Sequence, residues 1–169
     1  MEKLLEKKTA IITGAANGVG QIIAQKFSEE GANLILADMD ESNLKKEADL
    51  IRKGGSHVEI FCGDLRQNLT IKNLLALSTK TFKNIDILVN ASRQVNISHP
   101  LDSDDMFFEE LMSQNVGVNL KLSREVAKKM IAQNVSQPDS GNAIGSIVNL
   151  SSIASHRTLP DTLAYSVSS

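Results

Sequence analysis

A glycine-rich string at 13–20, carboxylates at Asp38 and Asp64, an amide at Asn115 and the pair Ser152 and Tyr165 are residues whose types and spacing can support chemistry. Thr13-Gly14-Ala15-Ala16-Asn17-Gly18-Val19-Gly20 carries three glycines. Such a string lets a backbone turn tightly and approach a pyrophosphate, and the start of a following helix offers unpaired N–H groups and a positive dipole end. The string alone is equally an ordinary tight turn; a strand before it and a helix after it are the context a phosphate cradle needs. Asp38 follows at about the twenty-residue interval at which a carboxylate meets an adenosine ribose. It would repel a 2′-phosphate, and Asn17 provides no cation to meet one, so the pattern favours NAD over NADP. The competing role is that Asp38, or Asp40, caps the next helix. Gly63-Asp64-Leu65 sets an acceptor beside an apolar side chain, which suits an adenine edge and face but also an ordinary turn. In Asn90-Ala91-Ser92, small polar residues leave room for a ligand across the end of a strand.

The elements that would position these residues alternate. Short apolar, β-branched runs at 9–13, 33–37, 57–62, 85–89 and 144–150 read as strands. Between them, apolar residues fall at helical spacing: Val19, Ile22, Ile23 and Phe27, then Leu44, Ala48 and Ile51, then Leu74, Leu75, Leu77 and Phe82. Gly31 and Gly54-Gly55 close the first two of these helices. A long helix is expected over 104–134, followed by a loop around Pro138 and Gly141. Alternation of this kind implies an α/β fold, a doubly wound parallel sheet covered on both faces. Such sheets bind ligands at the carboxyl ends of their strands, where the residues listed above fall. On the long helix, Leu111, Asn115, Val118, Leu122, Val126 and Met130 form one stripe. Asn115 is its polar member. A buried amide left unpaired costs about 1–3 kcal/mol, so Asn115 needs a partner in the protein or in a site.

Composition narrows the classes further. The 169 residues carry a formal net charge of −2, without the broad basic field that nucleic-acid binding uses. Cys62 is the single cysteine, so no internal disulfide forms and no Cys/His cluster suggests a metal. It reads as a small buried hydrophobe. No apolar run is long enough for a membrane span, and the charged start MEKLLEKK does not read as a signal peptide. The expectation is a soluble cytoplasmic protein, with 1–169 forming one domain. His99, His156 and Arg157 read as solvated surface residues.

Together the motifs resemble the short-chain dehydrogenase/reductase family, in that family's order and register from residue 8 to the last residue. The resemblance implies a Rossmann-like sheet and hydride transfer between a nicotinamide cofactor and a secondary alcohol or ketone. It assigns Gly14, Asn17, Gly18, Val19 and Gly20 to the cofactor loop, Asp38 to NAD preference, Asp64 and Leu65 to the adenine pocket, and Asn90 to the segment after strand four. Asn115, Ser152 and Tyr165 take the positions of the catalytic asparagine, serine and tyrosine. Tyr165 would exchange the substrate proton, Ser152 would hydrogen-bond the substrate oxygen, and Asn115 would hold a water. The implied substrate is a small alcohol or carbonyl compound whose identity is set by loops beyond this sequence. Family members form tetramers through the long helix and the one after it; with that second helix short here, the tetramer contact is expected to be incomplete.

Two departures stand out. Where the family carries Asn-Asn-Ala-Gly, this sequence has Asn90-Ala91-Ser92-Arg93, with either one asparagine deleted or the second replaced by Ala91. Where the family carries a lysine four residues after the tyrosine, it has Ser169, the last residue. A free tyrosine ionises near pH 10 and is a poor base at neutrality; a nearby ammonium favours the phenolate, and Ser169 carries no charge. If the tyrosine stayed two units too high, about 2.7 kcal/mol of ionisation free energy would be missing, slowing proton transfer up to about a hundredfold. The sequence thus reads as the N-terminal part of a dehydrogenase, or a truncated one, with five strands and little turnover of its own. An NAD-binding chain without catalysis is the second reading, and a poorly folding remnant the third.

Overall fold

The computed structural model describes residues 3–97, 99, 101, 105–136, 144–157 and 159–169. Five parallel strands, β1 (Thr9–Thr13), β2 (Asn33–Asp38), β3 (Val58–Cys62), β4 (Ile87–Asn90) and β5 (Ser146–Asn149), form one sheet in the order β3-β2-β1-β4-β5. The expected strands are all present, shifted by one or two residues at their ends. The order reverses between β1 and β4, and this switch point opens a crevice above the carboxyl ends of the central strands.

Five β1 residues in a row are buried, and alternate side chains enter different cores. Ala10 and Ile12 pack with Leu34, Leu36, Ala24, Leu44 and Ala48 beneath α1 (Gly18–Glu29) and α2 (Glu41–Lys53). Ile11 faces the other way, into Ile35, Leu74, Leu88, Leu122 and Val126 under α3 (Asn68–Phe82) and α5 (Val118–Ser136). The period-two strand thus serves two helical layers, the doubly wound arrangement the alternation implied.

Two helices differ from expectation in informative ways. In α1 the buried face is Gly20, Ala24 and Ser28, with Ile23 and Phe27 at its margin, while Val19 and Ile22 are exposed. The helix presses its smallest residues on the sheet, because a Cβ at Gly20 would overlap the Gly14 carbonyl. The long helix is interrupted: α4 (Asp105–Leu111) runs into a π-helical segment, Met112–Gly117, before α5 begins. The extra residue of a π turn rotates the face that follows. All six stripe residues from Leu111 to Met130 are nonetheless buried, with Asn115 inside the π segment. Asp104 and the loop at 137–143 lie outside the described residues.

Cys62 is exposed rather than buried. It ends β3, the outer strand of the sheet, where no neighbouring strand covers it, and its Sγ lies 3.5 Å from the Met39 carbonyl. β5 is the opposite outer strand, with Val148 45% exposed. Asp40, not Asp38, caps α2, its carboxylate accepting the Asn43 amide at 3.0 Å. A short helix, α6 (Leu163–Val167), carries Tyr165. Among the described residues no helix is long and apolar enough to cross a membrane, and no group of three or more His, Cys, Asp or Glu could hold a metal ion.

Leu122→Ala, which truncates a fully buried side chain under the sheet, is expected to cost about 2–5 kcal/mol in urea unfolding. Leu120→Ala, at a position 57% exposed on the same helix, is expected to stay within about 0.5 kcal/mol of the parent.

Candidate active site

The site is built on the end of β1. Thr13 is fully buried, and its Oγ1 accepts the backbone amides of both Ala91 and Ser92 at 3.1 Å. The segment after β4 is thereby drawn against the turn after β1. Gly14 sits at φ +66°, and a Cβ there would lie 2.8 Å from the Ser92 backbone, so the approach needs glycine on both conformational and steric grounds. Gly18, at φ +58°, begins α1 with open space around it. Asn17 precedes it in extended conformation, makes no side-chain cap, and no acidic residue lies in the first turn. The first N–H groups of α1 therefore keep their donors for another partner.

These residues border a groove of about 420 Å³. Gly14, Asn17, Gly18, Val19 and Gly20 form one wall, with Asp38 beside them; Ala91, Ser92, Arg93, Val95, Leu150, Ser151 and Tyr165 complete the lining. Four of the five strands, all but β3, thus contribute residues at or just beyond their carboxyl ends. Asp38 Oδ2 accepts the Ala16 amide at 3.0 Å, and Oδ1 accepts the amides of Met39 and Asp40 at 2.7 and 3.1 Å. A carboxylate has about four acceptor positions, so capacity remains toward the groove. The glycine cradle, the uncapped helix start and this carboxylate fit a dinucleotide: one offers N–H donors to phosphate, the other an acceptor to ribose hydroxyls.

Three of the expected cofactor residues lie outside the groove lining. Asp64 is gripped by Arg66 through Nε and Nη2 at 3.0 and 2.9 Å, and Arg66 reaches on to Glu110 at 3.0 Å. The hydrogen bonds from the guanidinium hold the Asp64 carboxyl below the usual carboxylate range despite partial burial. Leu65 is buried in the core beneath α3 and α5. Asn90 is 1% exposed and its Nδ2 donates to Ser123 Oγ at 2.9 Å and Asn149 Oδ1 at 2.7 Å, joining β4 to β5 and α5.

Two of the three residues expected at the reacting end, Asn115 and Tyr165, meet the Arg93–Gln94 segment, and Ser152 lies outside the groove lining. Asn115 is buried; its Oδ1 accepts the Gln94 amide at 2.8 Å, and its Nδ2 donates to the Gln94 carbonyl at 2.9 Å and to Ser168 Oγ at 3.0 Å. Its partners are thus protein groups. Ser152 precedes a short 3-10 turn, Ile153–Ser155, and its Oγ accepts the Ala154 amide at 3.2 Å. Tyr165 is 7% exposed, and Arg93 Nη1 donates to its hydroxyl at 2.8 Å. Burial pushes the Tyr165 phenol up; hydrogen bonding to its oxygen, with Arg93 at 2.8 Å, and the guanidinium charge outweigh it and bring the group below its ordinary 10.0. Arg93 is the residue that reading from sequence missed. The available signal was a cation three residues past a strand end, in the segment that departs from the family pattern.

A family model described as short chain dehydrogenase matches residues 8–168. The chain belongs to the short-chain dehydrogenase family. An uncharacterized oxidoreductase of Thermotoga maritima is 27% identical over 165 residues, covering 98% of this chain and 61% of that protein. Oxidoreductase UcpA of Salmonella typhimurium is 32% identical, covering 97% and 59%. A short-chain dehydrogenase/reductase of Burkholderia phymatum, solved in complex with NAD, superposes with a TM-score of 0.87 at 27% identity, over 99% of this chain and 57% of that one. The chain thus spans about three fifths of the length of such family members, and within that span it has their Rossmann-like sheet.

Thr13→Val keeps the shape of the side chain but leaves two amides without an acceptor. It is expected to lower stability by about 1–3 kcal/mol, read by urea unfolding, with Thr13→Ser recovering most of the loss.

Proposed function

We propose that this dehydrogenase-family chain is the cofactor-binding and proton-handling part of an NAD-dependent oxidoreductase acting on a secondary alcohol or ketone. The observation that carries the reading is Asp38: relieved of capping by Asp40, its carboxylate borders the groove beside the uncapped start of α1. A carboxylate there favours ribose hydroxyls and disfavours a 2′-phosphate. The NAD complex of the Burkholderia relative supports the same choice.

When bound, NAD supplies the ring that gives or takes hydride. The chain supplies orientation and a proton path. The N–H groups of α1 and the glycine turn would hold the pyrophosphate, and Asp38 the adenosine ribose. Asp64 and Leu65 remain the residues proposed for the adenine, and Asn90 for the floor of the cofactor segment. Tyr165 exchanges a proton with the substrate oxygen, which Ser152 orients by hydrogen bond. Asn115 contributes by fixing the Gln94 backbone and, through it, the segment that carries Arg93.

One observation favours a second reading, an NAD-binding chain without turnover: the position four residues past Tyr165 holds Ser169, whose Oγ donates to the Tyr165 carbonyl at 2.7 Å and brings no cation. The two readings part on NADH formation with a panel of secondary alcohols: the first expects a slow rate that Tyr165→Phe abolishes, and the second expects none.

Calorimetric titration is expected to show NAD binding more tightly than NADP. Asp38→Ala should weaken NAD about 10- to 100-fold, the value of a hydrogen bond to a charged group, and narrow the difference between the cofactors. Equal weakening of both by Asp38→Ala would remove the ribose role. Tyr165→Phe is expected to leave NAD affinity unchanged and to lower turnover about 10²–10⁴-fold.

A further inference from the structure

We propose that Arg93 is a positioning residue for Tyr165, its guanidinium holding the phenol oxygen by a hydrogen bond and supplying beside it the positive charge that Ser169 does not. The inference deepens the oxidoreductase reading and rests on it for its meaning.

The geometry is specific. Nη1 donates to the Tyr165 hydroxyl at 2.8 Å, Nη2 donates to the Leu150 carbonyl at 2.8 Å, and Cζ lies 5.8 Å from the centre of the tyrosine ring. One arm of the fork is therefore anchored on the segment after β5 while the other addresses the phenol. The backbone that carries the fork is fixed on both sides. Thr13 Oγ1 holds the amides of Ala91 and Ser92 before it, and the Asn115 side chain holds the amide and carbonyl of Gln94 after it. The guanidinium cannot swing away without breaking one of these ties.

The chemistry follows from what arginine is. A guanidinium only donates, so the phenol oxygen must accept, and an oxygen that accepts from a cation is stabilised as the phenolate. Arginine also stays charged through the pH range in which tyrosine ionises.

The other groups around Tyr165 do not provide a competing charge. Ser152, from the segment after β5, and Ser169, two residues beyond α6 with its hydroxyl on the Tyr165 carbonyl, are uncharged. Asp38, across the same groove, is engaged by three backbone amides. α4, which packs along α6, carries Glu109 and Glu110, both exposed, and Glu110 is paired with Arg66. His156 and Arg157, beyond the Ile153–Ser155 turn, are exposed as well.

Tyr165 is the single tyrosine and the chain contains no tryptophan, so the near-ultraviolet phenolate absorbance reports this one group. The titration needs neither NAD nor substrate, so a failure here is distinguishable from a failure of NAD to bind. In the unsubstituted chain, folded by circular dichroism, Tyr165 is expected to ionise below the ordinary 10.0. Arg93→Gln, which keeps a donor and removes the charge, should move the ionisation to higher pH; Arg93→Lys should restore most of the shift. A merely structural latch would lower the melting temperature of Arg93→Gln and leave the ionisation in place. The proposal is overturned if the unsubstituted protein titrates at or above free tyrosine, a result that needs no variant to fold. It is equally overturned if a folded Arg93→Gln titrates like the parent, or if Arg93→Lys titrates like Arg93→Gln.

Discussion

The two hydrogen bonds that Thr13 accepts from Ala91 and Ser92 are the constraint on which the site depends. They join the ends of β1 and β4, the strands between which the sheet reverses its order. They also force the contact between Gly14 and the Ser92 backbone, which glycine alone tolerates. With the turn and the segment locked together, one wall of the groove is the glycine cradle and the other carries Arg93 toward Tyr165. A second carboxylate-to-amide tie, Asp38 to Ala16, holds the outer part of the same turn. The glycine turn and the Arg93–Tyr165 end are consequently one mechanical unit, because residues 91–94 are tied to both.

The electrostatics of the groove divide along its length. The cradle end presents N–H donors and a single carboxylate, an arrangement that suits phosphate and ribose hydroxyls in sequence. The other end presents a buried phenol beside a guanidinium, where burial raises the phenol and hydrogen bonding, with the guanidinium charge, brings it below its ordinary value. Acid–base chemistry at near-neutral pH calls for that balance. The π segment contributes to it as well. It sets Asn115 within the buried stripe while turning its amide onto the Gln94 backbone, the tie that fixes Arg93 from behind.

Much of this was legible in the residues. Strand–helix alternation implied the doubly wound sheet, and the stripe from Leu111 to Met130 is buried throughout, with Val118, Leu122, Val126 and Met130 filling the core against β1 and β4. The family pattern singled out Tyr165, Ser152 and Asn115 as candidates, and Tyr165 and Asn115 meet at the Arg93–Gln94 segment. What escaped depends on tertiary context. Val19 and Ile22 have apolar spacing yet face outward, since the close approach of α1 to the sheet is decided by Gly20. Cys62 is exposed because β3 happens to be the outer strand, which no local property of 57–62 reveals. The π segment and the reach of Arg93 are likewise products of packing between distant segments. Counting from the tyrosine located a missing lysine; it could not locate a guanidinium arriving from a loop 72 residues earlier.

The central claim is that the carboxyl-end groove, with its cradle and its Arg93 segment acting as one unit, is where NAD binds. Backbone amide NMR of the chain titrated with NAD tests it most directly. The account predicts that the amides of Gly14, Asn17, Gly18, Val19, Gly20 and Asp38 shift together with those of Ser92 and Arg93, along a single binding curve. Shifts confined to another surface, such as the cavity between α3 and α5 at Asn68, Lys72 and Lys121, would contradict it. So would a saturating NAD concentration that leaves the cradle amides unmoved.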